Sequence, residues 1–240
     1  PRLKDGSFKP DFDVLQTHGE GFIEGNSWNF SFHVPHDVAG LIPLMGGEKA
    51  FIDKLDKLFT MHLPKQFYEQ NEDITEACLV GGYVHGNEPS HHVAYLYAYA
   101  GQQWKTAEKV SYIQHNFYTD QPEGIIGNED CGQMSAWHVL SALGLYQVNP
   151  SNGIFVFGSP RFEKVTINLP EGKTFTVEAP AASKDNKYIQ SVRLNGEPYT
   201  KSYISYEDIM KGGTLSFEMG REPNKAFGAD VADRPHSLEK

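Results

Sequence analysis

Hydrophobic positions change their period once along this chain. Up to about residue 150 they recur at helical spacing, and beyond it they alternate with period two. Phe51, Leu55, Leu58 and Phe59 fall on one helix face, with Lys and Asp between them. A second helix is predicted from about Glu88 to Ala100, with Pro89 in its first turn and Gly101 as its stop. A third runs from Trp104 to about Phe117, and a fourth from Met134 to Leu143, where Gly144 suits the C-terminal cap. The joining segments Gly81-Gly82, Gly86-Asn87 and Gly124 through Gly127 are long and polar for a helical protein, which places function on one rim.

The pattern breaks near Asn149-Pro150-Ser151-Asn152-Gly153. After it, Val165, Ile167 and Leu169 alternate with Thr166 and Asn168, and Phe175 and Val177 with Thr174 and Thr176. Ile189, Val192 and Leu194 run into Asn195-Gly196, a strong hairpin signal, and Thr214 through Phe217 adds a last strand. Residues 151–240 therefore read as a small antiparallel β module, with a charged, Pro-punctuated extended tail from about Asn224 to Lys240. The expected class is α+β, in two parts: 1–150 helical and 151–240 stranded.

Composition narrows the function classes. At 240 residues the chain can bury a full core, as one large domain or two smaller ones. Hydrophobic residues at 39% and charged residues at 22% are those of an ordinary folded protein. A net charge of −10 argues against nucleic acid and anionic membrane, both of which need a basic footprint, and suits a neutral substrate or a divalent cation. No apolar run approaches the ~20 residues of a membrane span. Cys78 and Cys131 make neither a disulfide framework nor a metal knot, and whether they pair stays open. The opening Pro1-Arg2-Leu3-Lys4, without an initiator Met, is expected of a processed or shortened chain.

Three segments crowd ionisable and glycine residues where helix-face patterning should rule. In Glu20 through Trp28, Glu24 precedes a helix start marked by Asn26 or Ser27. Phe22 and Trp28 beside it would form a partly apolar pocket, which suits proton donation; the plainer reading is that Glu24 complements the helix dipole. In Gly81 through His92, Asn87 and Glu88 offer the hard oxygens calcium prefers. His91 and His92 are adjacent, without the four-residue spacing of zinc-protease pairs, and the plainer reading is a capped helix start with solvated histidines. In Gly127 through Trp137, Asp130 can serve as general base or metal ligand, and Glu129 can support either role; the alternative is an acidic cap pair.

At these residues the chain resembles the family 92 glycoside hydrolases, calcium-dependent exo-acting α-mannosidases. The resemblance rests on Glu24-Gly25-Asn26-Ser27-Trp28, on His85 through His92, and on Gly127 through Trp137. His33-Val34-Pro35-His36-Asp37 and Gly158-Ser159-Pro160 match as well. It implies the C-terminal part of an (α/α)₆ helical toroid followed by β strands, with an N-terminal β-sandwich domain outside this chain as a partner. It implies Glu24 as catalytic acid, Asp130 as general base, Asn87, Glu88 and Asp130 around a Ca²⁺ ion, and a mannose-containing oligosaccharide as substrate. His85 is similar to a residue contacting the leaving-group sugar, and Trp28, Glu129 and His91 are expected to line the same site. In the family this chain resembles, members selective for α-1,2 linkages often carry Glu after that His; Gly86 mildly disfavours strict α-1,2 specificity. The resemblance also implies an inverting mechanism and a periplasmic, secreted or cell-surface location. A calcium-dependent carbohydrate-binding module without chemistry, and a helical-toroid enzyme of other specificity, are the competing readings; a zinc hydrolase is disfavoured by the absence of a His-x-x-x-His helix.

Overall fold

The computed structural model describes residues 1–17, 21–69, 71 and 74–237. Its first half holds α1 (Ser27–Phe30), α2 (Val38–Leu44), α3 (Glu48–Thr60), α4 (Gln103–Asn116) and α5 (Gln133–Ala142). The two-residue strands β1 (Leu79–Val80) and β2 (Tyr83–Val84) form a tight antiparallel pair across Gly81-Gly82. The amphipathic face of α3 buries Phe51, Leu55, Leu58 and Phe59, as their spacing predicts. Gly101 and Gly144, at φ +72° and +85°, end their elements in the left-handed conformation that glycine adopts at no steric cost.

The helix expected over 88–100 is not continuous. A 3₁₀ turn at Glu88–Ser90 is followed by a 3₁₀ helix at Val93–Ala100, and every residue of the latter is buried. Tertiary bonds compete for the backbone at the break: Trp137 Nε1 donates to the His91 carbonyl at 3.0 Å. Such a long 3₁₀ run is uncommon and is held here by packing against α2, α3 and α4.

The second half contains β3 (Leu145–Tyr146), β4 (Ile154–Phe157), β5 (Lys164–Asn168), β6 (Thr174–Glu178), β7 (Tyr188–Leu194), β8 (Glu197–Pro198), β9 (Tyr203–Ser205), the short α6 (Tyr206–Met210) and β10 (Gly213–Gly220). The larger sheet has the order β5-β6-β10-β7-β8. It is not wholly antiparallel, because β10 runs parallel to β6 and antiparallel to β7. The consecutive strands β6 and β7 run in opposite directions, so a strand inserted between them must be parallel to one. Asn195 and Gly196, at φ +54° and +87°, make the tight turn joining β7 to β8.

The pattern switch near residue 150 is not a gap between cores. The sheet β3-β4-β9 lies between them: Tyr146, Ile154, Val156 and Tyr203 face the helical core, while Leu145, Phe157 and Ile204 face the core of the larger sheet. The stretch from Asn224 is likewise docked and not a free tail. Phe227 is buried, the Asp233 carbonyl accepts from Ser202 N and Oγ at 2.7 and 2.9 Å, and Ser237 Oγ accepts from Ala39 N at the start of α2 at 2.8 Å. The end of that stretch, 238–240, lies outside the described residues.

Candidate active site

Three loops meet at the rim where the glycine-rich segments fall. The first leads into α1. Asn26 caps that helix, accepting from Trp28 N and Asn29 N at 3.0 and 3.3 Å, while the Asn29 side chain accepts from Asn26 N at 3.1 Å. Just ahead of the cap, Glu24 sits at φ +61°, a left-handed conformation that costs a non-glycine residue about 1–3 kcal/mol and needs support from its surroundings. Asn87 gives that support. Its Nδ2 donates to the Glu24 carbonyl at 3.1 Å and to the Glu24 carboxylate at 3.4 Å. Glu20, at the head of this segment, lies outside the described residues.

The second and third loops are pressed together. Asn128 Nδ2 donates to Asn87 Oδ1 at 3.0 Å, and Asn128 N to the Gly86 carbonyl at 2.9 Å. The approach requires glycine on both sides. A Cβ on Gly86 would lie 2.4 Å from Cys78 Sγ, and one on Gly127 would lie 2.3 Å from the Gly86 Cα. A chain of side-chain amides thus runs from Glu24 through buried Asn87 to Asn128, two residues from Asp130. Asn128 was assigned no role from the sequence; its signal was its place in the matched segment Gly127 through Trp137.

Asp130 is exposed and opens the 3₁₀ turn Asp130–Gly132, and Glu88 is exposed at the start of its own turn. The Glu129 carboxylate is bonded to the first turn of α5: it accepts from Ser135 Oγ at 2.5 Å and Ser135 N at 3.2 Å, and the Ser135 bonds hold it below the usual carboxylate range. Trp28 lies half-buried under the Lys54 ammonium, 5.4 Å from its ring centroid. Phe22 stacks on Phe30 at 5.3 Å.

The histidines of the second loop form the wall behind the site. His85, expected at the sugar, is fully buried; its Nδ1 pairs with Tyr83 OH at 2.9 Å and its Nε2 with Tyr118 OH at 2.8 Å, so neither nitrogen is free for a sugar. Burial, with His91 and His138 nearby, holds its pKa well below the ordinary value. His92 Nε2 binds the Phe32 carbonyl at 2.8 Å, and His91 is buried with its Nε2 unpartnered among the described residues; burial lowers the pKa of each to about 4. These are not the solvated histidines of the plainer reading. Of the other matched segments, Asp37 caps α2 through Gly40 N at 2.9 Å, and the Ser159 carbonyl accepts from Gln114 Nε2 at 3.1 Å.

For calcium, the donor chemistry of Asn87, Glu88 and Asp130 is of the hard-oxygen kind. The set is incomplete: Asn87 Oδ1 already accepts from Asn128, and among the described residues no three His, Cys, Asp or Glu converge on one point. Cys78 and Cys131 are both free thiols, the first buried and the second exposed.

The sequence profile of the glycosyl hydrolase family 92 catalytic domain matches residues 1–221. An uncharacterized secreted glycosidase of Arthroderma benhamiae is 34% identical over 231 residues, covering 95% of this chain and 27% of that protein. A family GH92 α-mannosidase of Bacteroides thetaiotaomicron, solved in complex with mannoimidazole, is 36% identical with a TM-score of 0.89, covering 98% of this chain and 31% of its own. A GH92 inverting mannosidase of the same organism is 38% identical with a TM-score of 0.85, over 97% of this chain and 32% of its own. The chain therefore spans about a third of the length of these solved relatives.

Proposed function

The chain belongs to glycosyl hydrolase family 92, and from that premise we propose that it supplies the carboxylate-bearing part of an enzyme that hydrolyses terminal α-mannosidic linkages in mannan or N-glycans with inversion. The observation that carries the reading is the amide chain Glu24–Asn87–Asn128, which ties the loop of one carboxylate to the loop of the other. A single-displacement glycosidase needs two carboxylates on opposite sides of the scissile bond, and this amide chain bonds the Glu24 carboxylate directly and reaches the loop that carries Asp130. The acid and base of such an enzyme must stand about 6.5–9.5 Å apart to admit a water.

In this mechanism Glu24 hands a proton to the glycosidic oxygen as the bond breaks. Asp130 takes a proton from the water that attacks the anomeric carbon from the opposite face. Asn87 orients the Glu24 carboxylate, and the exposed position of Asp130 leaves it open to water. Ca²⁺ belongs to the same proposal: Glu88 and Asp130, with Asn87 beside them, would hold it together with ligands from outside this set, and when bound it would supply a fixed charge that orients sugar hydroxyls. The rest of the toroid, and a β-sandwich domain that closes the site, belong to the same proposal, as does secretion, which is supported by the secreted relative.

The test is proton NMR of the full-length protein acting on an α-mannoside. Inversion requires β-mannose as the first-formed product. Release of α-mannose, or no release at all, contradicts the reading. Chelation should stop turnover and added calcium restore it.

A further inference from the structure

Asp130 is exposed, yet the turn that carries it is a costly one. Cys131 and Gly132 follow at φ +51° and +81°, two left-handed residues in succession, the first of them not glycine. The bonds that hold this turn come from the first turn of α5. Gln133 Nε2 donates to the Asn128 carbonyl, closing a loop around Asp130. Ser135 donates from Oγ to one Glu129 oxygen at 2.5 Å and from its backbone N to the other at 3.2 Å. Gly132 N completes the turn by donating to the Glu129 carbonyl at 3.1 Å. On its far side the same loop is pinned by Asn128 to Asn87 and Gly86.

Gln133 makes its bond at a cost. Its Oε1 is buried with no hydrogen-bond partner among the described residues. An unpaired buried acceptor costs about 1–3 kcal/mol, and a rotation toward solvent would relieve it. The side chain stays inside, with its amide N–H on the Asn128 carbonyl.

We propose that Gln133 and Ser135 are positioning residues that staple the turn 128–133 at both ends and so fix the Asp130 carboxylate relative to Glu24. The inference rests on the reading of Asp130 as general base. Its logic is that a base on an exposed turn, with freedom to swing, aims at its water only part of the time. Small misplacements of a reacting group can cost on the order of 100-fold in rate.

The test uses the full-length enzyme and two variants. Gln133→Glu keeps shape and volume but replaces the N–H facing the Asn128 carbonyl with an acceptor; Ser135→Ala removes the hydroxyl donor to Glu129. Each should lower kcat at least tenfold per folded molecule and leave KM within twofold. The loss should be the same on aryl mannosides with good leaving groups as on mannobiose, because attack by water is needed for both. A purely structural role would lower Tm without changing kcat per folded molecule. That outcome in both variants, or a loss confined to poor leaving groups, overturns the proposal. If Asp130→Asn keeps the wild-type rate, the parent reading falls and this one with it; if Asp130→Asn is inactive but both staple variants are fully active, only the staple is refuted.

Discussion

The side-chain amide of Asn87 holds Glu24 twice, by its backbone carbonyl at 3.1 Å and by its carboxylate at 3.4 Å. One buried side chain thus fixes both the unusual backbone of the Glu24 loop and the direction of its acid group. Asn87→Leu keeps the approximate volume but removes the donor to the Glu24 carbonyl and the acceptor for Asn128 Nδ2. The expected cost is about 1–3 kcal/mol of stability and a loss of activity beyond that cost. Thermal unfolding and kcat/KM on an aryl mannoside read the two separately. Unchanged values for both would remove Asn87 from the site.

Contact between the second and third loops leaves no room for a methyl group. A Cβ on Gly127 would lie 2.3 Å from the Gly86 Cα, at a φ of +71°. Gly127→Ala is expected to separate the Asn87 and Asp130 loops, with a destabilisation of about 1–3 kcal/mol. Activity should fall more than stability. As a control, Gly172→Ala adds a Cβ at a similar φ of +73° but in open space, far from the chemistry in sequence, and should leave kcat unchanged.

Stability should decline as the medium is acidified. Burial lowers the pKa of His91 and of His92 from 6.5 to about 4. The unfolded chain therefore takes up protons on these rings near pH 6.5, before the folded protein does. Between those values the unfolded state binds more protons, and each step down in pH favours unfolding. The contribution is complete above about pH 6.5 and is lost as pH falls toward 4, up to roughly 3 kcal/mol per histidine. Tm should drop steadily from pH 7 to pH 4.5, and His92→Gln should flatten part of the slope. A flat Tm over that range would contradict the buried neutral state.

The C-terminal stretch should behave as part of the fold. Arg234 is only 16% exposed; it donates to Glu48 Oε1 at 2.5 Å and to the Ala229 carbonyl at 3.0 and 2.8 Å. Arg234→Ala is expected to lower stability by about 1–3 kcal/mol in urea unfolding, because it strands the Ala229 carbonyl and leaves Glu48 alone. A change within a few tenths of a kcal/mol would mean the stretch is only loosely laid on.

What could be read from the sequence was local. Asn195-Gly196 announced its turn because two left-handed residues in a row favour that pair, α3, α4 and α5 fall where their spacing placed helices, and Gly144 follows α5 as its glycine stop. What depended on partners far along the chain was not readable. Alternation in Thr214 through Phe217 is the same whether a neighbour runs parallel or antiparallel, so the pairing of β10 with β6 was missed. The 3₁₀ form of Val93–Ala100 depends on bonds from Trp137 and on packing by three helices. At the site, Glu24, Asn87 and Asp130 were singled out by residue type and resemblance. The burial of His85 was not, because nothing in its local sequence shows Tyr118 meeting its ring from another loop. Asn128 and Gln133 carry neutral amides, and their roles emerge only when the loops are brought together.

The division of labour between Glu24 and Asp130 is the centre of this account, and one kinetic comparison tests it. Glu24→Gln and Asp130→Asn in the full-length enzyme are each assayed on α-linked mannobiose and on an aryl mannoside whose leaving group needs no proton. Glu24→Gln should lose the disaccharide and retain the aryl substrate, while Asp130→Asn should lose both by several orders of magnitude. Equal behaviour of the two variants on both substrates, or a wild-type rate for Asp130→Asn, would contradict it.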